Sequence, residues 1–287
     1  MDNLKLCVDM SNEFEGELSA LFHAHRERED NIADKDLKKI IGADTAAGDT
    51  LKNSIRGQDY SGSLPANEES SGRMLELAMN IGRLWNNGKR LRVRFLGGDR
   101  YLHQNVMHHA KQWEKHANIY FDLVDSGPAE IRISFTPGGS WSYVGTDALN
   151  TTDQSQPTMN FGWFDHNTPQ IEFSRTVIHE FGHCLGCVHE HQSPGAQINW
   201  NKPYVYDYCQ HKQMPPWSRE KVDKNLFERF SSSEITNSVF DPQSIMLYPI
   251  PPEFTTDGFE VGWNNFLSQQ DMEFISRCYP KQQWSAK

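Results

Sequence analysis

The chain has 287 residues, 37% of them apolar and 23% charged, with a formal net charge of −10. That length accommodates one sizeable domain or two lobes around a large core, and the acidic balance offers no phosphate-neutralising excess for nucleic acid. No apolar run approaches the roughly 18 residues of a membrane span, and Met1 to Met10 lack the basic and apolar regions of a secretory signal, so the expected setting is cytoplasmic, with export by a non-standard route or prior processing as alternatives.

Residues 1–72 read as an N-terminal extension and linker, and 73–287 as the main domain. The extension opens with Leu4, Leu6 and Val8 alternating as a strand would and carries a charged stretch from His23 to Asp30. A polar, small-residue run from Gly42 to Gly72 follows, without periodicity. Next comes an expected helix from Arg73 to Trp85, closed by Asn86, Asn87 and Gly88. Leu91, Val93 and Phe95 alternate with Arg92 and Arg94 as a strand. Val106, Ala110, Trp113 and Ala117 fall at helical spacing. Ile119 to Val124 gives a second strand; Ile131, Ile133 and Phe135, alternating with Arg132 and Ser134, give a third. This strand–helix–strand order predicts a partly parallel sheet. Thr158 to Trp163 is a further strand. Thr168 then serves as N-cap, with Pro169 at the first helical position. On the helix so opened, Phe173, Val177, Phe181 and Cys184 form one stripe, and His179 and His183 another.

His179-Glu180-Phe181-Gly182-His183 is an H-E-x-x-H sequence. Side chains four apart on a helix lie one above the other, so both imidazoles reach one metal ion with Glu180 beside it. Gly186 and His189 extend the pattern to H-E-x-x-H-x-x-G-x-x-H. A continuous helix would carry His189 about 9 Å beyond His183, too far for zinc–nitrogen bonds of about 2.1 Å. The chain must therefore turn between them, at Gly186, which tolerates positive φ. Three neutral histidines leave a coordination position open, as a catalytic zinc requires.

The stretch His179 to Glu190 resembles the active-site consensus of the astacin family in the metzincin clan, in which glutamate follows the third histidine. Ser244-Ile245-Met246-Leu247-Tyr248 is similar to that family's Met-turn, with Leu247 where histidine is usual. Gly139-Ser140-Trp141-Ser142-Tyr143-Val144-Gly145 and His189-Glu190-His191-Gln192-Ser193-Pro194 resemble microbial astacin-related proteases. The likeness spans about Leu91 to Pro280. It implies an α+β fold of two lobes, with a twisted mixed sheet, a backing helix and the active-site helix in the N-terminal lobe. An irregular C-terminal lobe, closed by a helix near Gln269 to Cys278, would follow. It also implies a zinc metalloendopeptidase with one Zn2+ per chain on His179, His183 and His189. A zinc-bound water would attack the peptide carbonyl with Glu180 as general base. Tyr248 would bind the oxyanion, and Met246 would pack under the site. The partners are then protein or peptide substrates, docked on the sheet edge expected at Thr158 to Trp163, with no nucleic acid or membrane, on a monomer.

Other features take plainer readings. Cys184 and Cys187 are two small buried residues, not a redox pair. His103, His108, His109 and His116 form a solvated face, and His191 points away from the ligand set. With five cysteines at least one thiol stays unpaired; Cys209 and Cys278 can pair, though spacing alone does not show it. Phe14-Glu15-Gly16-Glu17 faintly resembles the family's propeptide motif, whose acidic residue caps the zinc, and Cys7 can do the same as a thiolate; a solvated amphipathic segment is the plainer alternative. Two rival functions remain: a non-proteolytic zinc-binding module, against which Glu180 speaks, and a zinc amidase for small substrates, which needs no Met-turn.

Overall fold

In a computed structural model, residues 4, 7, 10, 18–28, 79–213, 215–230, 235–236 and 240–281 are described. The chain builds outward from β2 (Arg90–Phe95), whose Leu91 and Val93 are fully buried while Arg90 and Arg92 face water. On that wet face Arg90 pairs with Asp122 and Arg92 with Glu130, across to the neighbouring strand and turn. β2 lies parallel to β3 (Tyr120–Leu123) on one side and to β4 (Ile131–Ser134) on the other. Helix α2 (Arg100–Ala110) makes the β2–β3 crossover, capped by Asp99, which accepts from the Leu102 amide. β6 (Met159–Asn160) continues parallel to β4, and β5 (Trp141–Ser142) closes that side antiparallel, giving the order β3-β2-β4-β6-β5.

Two expectations need correction here. First, helix does not cover Met79 to Trp85. Met79–Asn80 forms β1, paired antiparallel with β7 (Ile235–Thr236), and a single 3-10 turn, Ile81–Arg83, follows. Trp85 is buried and its indole donates to the Cys184 carbonyl, a tertiary anchor that helical propensity does not register. Residues 73–78 lie outside the described set. Second, the helix expected through Ala117 stops at Ala110 and a 3-10 turn, Trp113–Lys115, carries the rest of the stripe. The burial pattern holds, since Val106, Ala110, Trp113 and Ala117 are all fully buried. Arg132, which alternates with Ile131 and Ile133, is buried as they are. β4 is central and covered on both faces, so the Arg132 guanidinium is buried and donates to the carbonyls of Ala129, Thr151 and Gln156. Three charge-assisted bonds to backbone replace its hydration and tie down the loop between β5 and β6.

Among the described residues two large hydrophobic cores result, beside a small cluster of Val144 and Val188 under Phe230. The larger lies between the sheet, α2, α3 (Gln170–Cys184) and α6 (Gln269–Cys278). The smaller gathers Val205, Tyr208, Cys209, Trp217, Ile250 and Phe254 around α4 (Lys202–His211). The stretch expected to be irregular thus contains α4 and a short α5 (Arg219–Val222), followed by a five-residue π-helical turn. The seam between the cores runs through the Met-turn: Ile245 and Met246 belong to the larger core, Leu247 and Tyr248 to the smaller.

The N-terminal stretch is in contact with this body. α1 (Leu18–Glu27) buries Ala20 and Ala24 and packs on the 3-10 segment Gly145–Asn150. Glu27 binds the Lys89 ammonium at 2.6 Å and the Asn86 amide at 3.1 Å. Leu4 donates its amide to the Tyr208 hydroxyl and takes no strand conformation; Leu6, Val8 and Glu17 lie outside the described residues. Among the described residues no helix is long and apolar enough to cross a membrane.

Candidate metal centre

Helix α3 begins one residue later than the sequence suggests: Pro169 is the N-cap, and the Thr168 hydroxyl serves a turn with Asp165 instead. The helix then runs fifteen residues with Phe173, Val177 and Phe181 fully buried. It ends where the third histidine demands. Gly186 takes φ +101°, the Gly186 amide donates to His183 O, and the Cys187 amide reaches back to Gly182 O at 3.0 Å. This is a left-handed helix ending, which a residue with a Cβ adopts only under strain. Past it, His189 turns back onto the helix.

The structure brings His179, His183 and His189 together. The Nε2 atoms of His179 and His189 are 3.2 Å apart, and those of His183 and His189 are 3.1 Å apart. The other ring nitrogens explain the aim. His179 Nδ1 lies 2.8 Å from the Ile245 carbonyl and His183 Nδ1 2.8 Å from the Cys187 carbonyl. A carbonyl only accepts, so each Nδ1 carries the proton and each Nε2 presents a lone pair. Burial, reinforced by His183 and His189, holds His179 well below the usual imidazole range, in its neutral form. Lone pairs so close repel unless a cation lies among them.

The fourth donor is Cys7. Its Sγ is 3.6 Å from His183 Nε2 and 3.4 Å from His189 Nε2, and Cys7 with the three histidines forms a cluster whose ligand atoms all lie within 4.8 Å. A tetrahedral zinc with bonds of about 2.1 Å to nitrogen and about 2.3 Å to sulfur sets N···N near 3.4 Å and N···S near 3.6 Å. The donor set fits that ion. The reading of the N-terminal stretch as a solvated segment fails at Cys7, which is 5% exposed.

Around the cluster, Tyr248 packs its ring 4.2 Å from that of His189 and donates its hydroxyl to the Cys7 carbonyl at 2.7 Å. Glu180 is buried and lines a cleft with Trp163, Arg175, Thr176, Leu247 and Trp263. In that cleft the Arg175 guanidinium lies 3.6 Å over the Trp263 ring and pairs with Glu172, which also accepts from the Trp163 indole. Met246 packs beneath the helix: a Cβ on Gly182 would stand 2.4 Å from its sulfur. His191 points away, its Nε2 against the Asn225 carbonyl. Cys184, Cys187 and Cys209 are buried, and no disulfide forms among the described cysteines, so Cys209 and Cys278 are not bridged.

One expected feature is misplaced. Thr158 to Trp163 is not an edge: Met159–Asn160 is hydrogen-bonded on both sides, to β4 and to β5. The outermost strand on this side is β5, Trp141–Ser142. A two-residue strand carries too little alternation to be legible as one.

No family model and no curated protein matches the chain. Solved structures do. One, "Structure of myroilysin", is 46% identical, covering 72% of this chain and 100% of that one with a TM-score of 0.69. A second, "Crystal structure of myroilysin", is 41% identical over 77% of this chain and 98% of that one, with a TM-score of 0.56. A third is High choriolytic enzyme 1, a hatching enzyme zinc-protease from Oryzias latipes, at 15% identity over 69% of this chain and 95% of that one, with a TM-score of 0.48.

Proposed function

The chain belongs to the astacin-like zinc metalloproteases of the metzincin clan, and from that premise we propose a role for each residue of its buried cluster. The protein is a zinc metalloendopeptidase acting on protein substrates, with one zinc per chain. The rival readings as a non-proteolytic module or a small-amide hydrolase give way to it.

His179, His183 and His189 hold the ion, and the observation that carries this is the convergence of their Nε2 atoms at metal-ligand spacing. Zinc, when bound, supplies a Lewis acid that activates water at neutral pH. Glu180 is the general base: it sits one residue from the first ligand on the same helix and lines the substrate cleft. It takes the proton from the attacking water and returns it to the leaving amine. Tyr248, on the opposite wall, donates its hydroxyl to the oxyanion once the Cys7 carbonyl no longer occupies it. Substrate adds as a strand to β5, the outermost strand on this side of the sheet. The enzyme works as a monomer.

Cys7 adds a second reading, of regulation. Its sulfur stands where a fourth ligand belongs, and Tyr248 is bonded to its carbonyl. A chain so arranged is latent, because the open coordination position is filled and the oxyanion donor is engaged.

The test is cleavage of casein and of a short peptide, with zinc content measured alongside. Wild type should contain one zinc per chain, and 1,10-phenanthroline should abolish its activity. Cys7→Ala in the full chain should raise activity severalfold. Absence of zinc sinks the enzymatic roles, whereas unchanged activity in Cys7→Ala sinks only the latency.

A further inference from the structure

The zinc ligands are themselves held, and the holder is a side chain 92 residues further along the chain than His179. Asp271 is fully buried in the first turn of α6. Its Oδ1 accepts from the Ser244 hydroxyl at 2.8 Å, and its Oδ2 accepts from the Ile245 amide at 2.8 Å. Both donors open the Met-turn. The Ser244 hydroxyl in turn accepts from the Met246 amide at 3.1 Å. The carbonyl of the same Ile245 then receives the His179 Nδ1 proton at 2.8 Å. The chain of contacts is therefore carboxylate, peptide unit, imidazole, metal.

The geometry points to Asp271 as the positioning residue of the metal centre: by fixing the Ile245 peptide through the Met-turn, it sets the tautomer and orientation of His179. The assignment rests on the zinc reading above and deepens it. The alternative is that Asp271 is merely a helix cap. It does take part in one, since the Ser268 amide donates to its Oδ2 and its own amide donates to the Ser268 hydroxyl. A cap alone, however, needs one carboxylate oxygen facing Ser268. It does not account for two further donors drawn from a turn twenty-odd residues away. Outer partners that orient a metal-binding imidazole change metal affinity by about 10- to 100-fold when lost.

The groups facing Asp271 are consistent with this role. Asp241, from the segment before the Met-turn, is the charged neighbour; it accepts from the Ser268 hydroxyl at 2.6 Å and donates its own amide to Glu190 at 3.1 Å. Glu190 donates its amide to the Met246 carbonyl at 3.0 Å, so the turn is gripped from the third histidine's side as well. Cys187 is the other titratable group close by. No cation among the described residues is recorded against the Asp271 carboxylate; its hold is on peptide and hydroxyl donors.

The experiment is a zinc titration of the full chain against a competing chelator, paired with melting temperature. Asp271→Ala should weaken zinc binding about 10- to 100-fold, and Asp271→Asn, which keeps one carbonyl oxygen for the Ile245 amide, should restore it to within a few-fold. Ser268→Ala removes the cap's hydroxyl but leaves Asp271 on the Met-turn; it should lower the melting temperature with zinc affinity unchanged. If Asp271→Ala does not fold, Ser244→Ala takes its place: it removes the hydroxyl bridge alone and should weaken zinc binding severalfold. Wild-type affinity in folded Asp271→Ala, or in Ser244→Ala when that variant stands in, overturns the assignment. Equal zinc loss in Ser268→Ala does the same. A wild-type chain that binds no zinc instead overturns the reading beneath it.

Discussion

The metal cluster has two halves built by different physics. His179 and His183 stand on α3, a helix whose backbone bonds are local and whose buried stripe recurs every three or four residues. His189 lies beyond the end of that helix, and the places of His189 and Cys7 depend on long-range contacts: Glu190 with Met246, Leu4 with Tyr208, Tyr248 with Cys7. The helical half gains precision from repetition. The other half has to be tied down bond by bond, and each tie is a separate point of failure.

The sharpest test falls on the helical side. Glu180→Ala should lower kcat by about 10²- to 10⁴-fold while zinc content stays at one per chain, because a base is lost and no tie is. If zinc is lost too, the helix is not the self-sufficient half and the comparison breaks. On the other side, Tyr248→Phe in a Cys7→Ala background should lower kcat and kcat/KM together, by about 10²-fold for a lost oxyanion donor. A rise in KM alone would move Tyr248 to substrate binding.

Asp271 sharpens the contrast through pH. Burial pushes its carboxyl up to about 6, against the bonds from Ile245, Ser268 and Ser244 that pull it down. Its folded value then lies above the unfolded one, near 3.9. The folded chain binds this proton more tightly, so the group favours the fold most below about pH 4 and least above about pH 6. Asp271→Asn lacks this dependence. Its stability relative to wild type should climb between pH 4 and pH 7, by up to about 3 kcal/mol, read from denaturant melts at each pH. A difference that stays flat with pH would remove the charge from the account.

The smallest effect belongs to Gly182. Alanine there improves helix propensity by about 1 kcal/mol, but its Cβ meets the Met246 sulfur at 2.4 Å and the Trp113 ring at 3.1 Å. Both neighbours are fully buried and have nowhere to retreat. Overpacking of this kind costs about 1–3 kcal/mol, so Gly182→Ala should melt lower than wild type. An equal or higher melting temperature would mean that the Met-turn yields more easily than its bonds imply.

The same division governs what could be read from the residues alone. His179, Glu180, His183, the turn at Gly186 and His189 were legible because helical spacing and metal geometry constrain each other within eleven positions. The sheet was legible from alternation at Leu91, Val93, Ile131 and Ile133. The burial of Arg132 was not legible, because alternation reports two faces without saying whether the second one is covered. The edge strand at Trp141–Ser142 is too short to alternate. Cys7 was visible as one of two candidate zinc caps, beside Glu17, and Asp271 only as one helical acid among many. Both act across a sequence separation for which a single sequence carries no period.

The seam through the Met-turn has a mechanical consequence. Ile245 and Met246 are rooted in one core and Leu247 and Tyr248 in the other, so four consecutive residues act as the axle on which both bodies bear. Any sliding between the bodies must twist that axle. Since Ile245 steers His179 and Tyr248 lies against His189, the twist arrives at the ligands as a change in their mutual angles. The ion in turn resists the twist, as a pin resists shear in a joint.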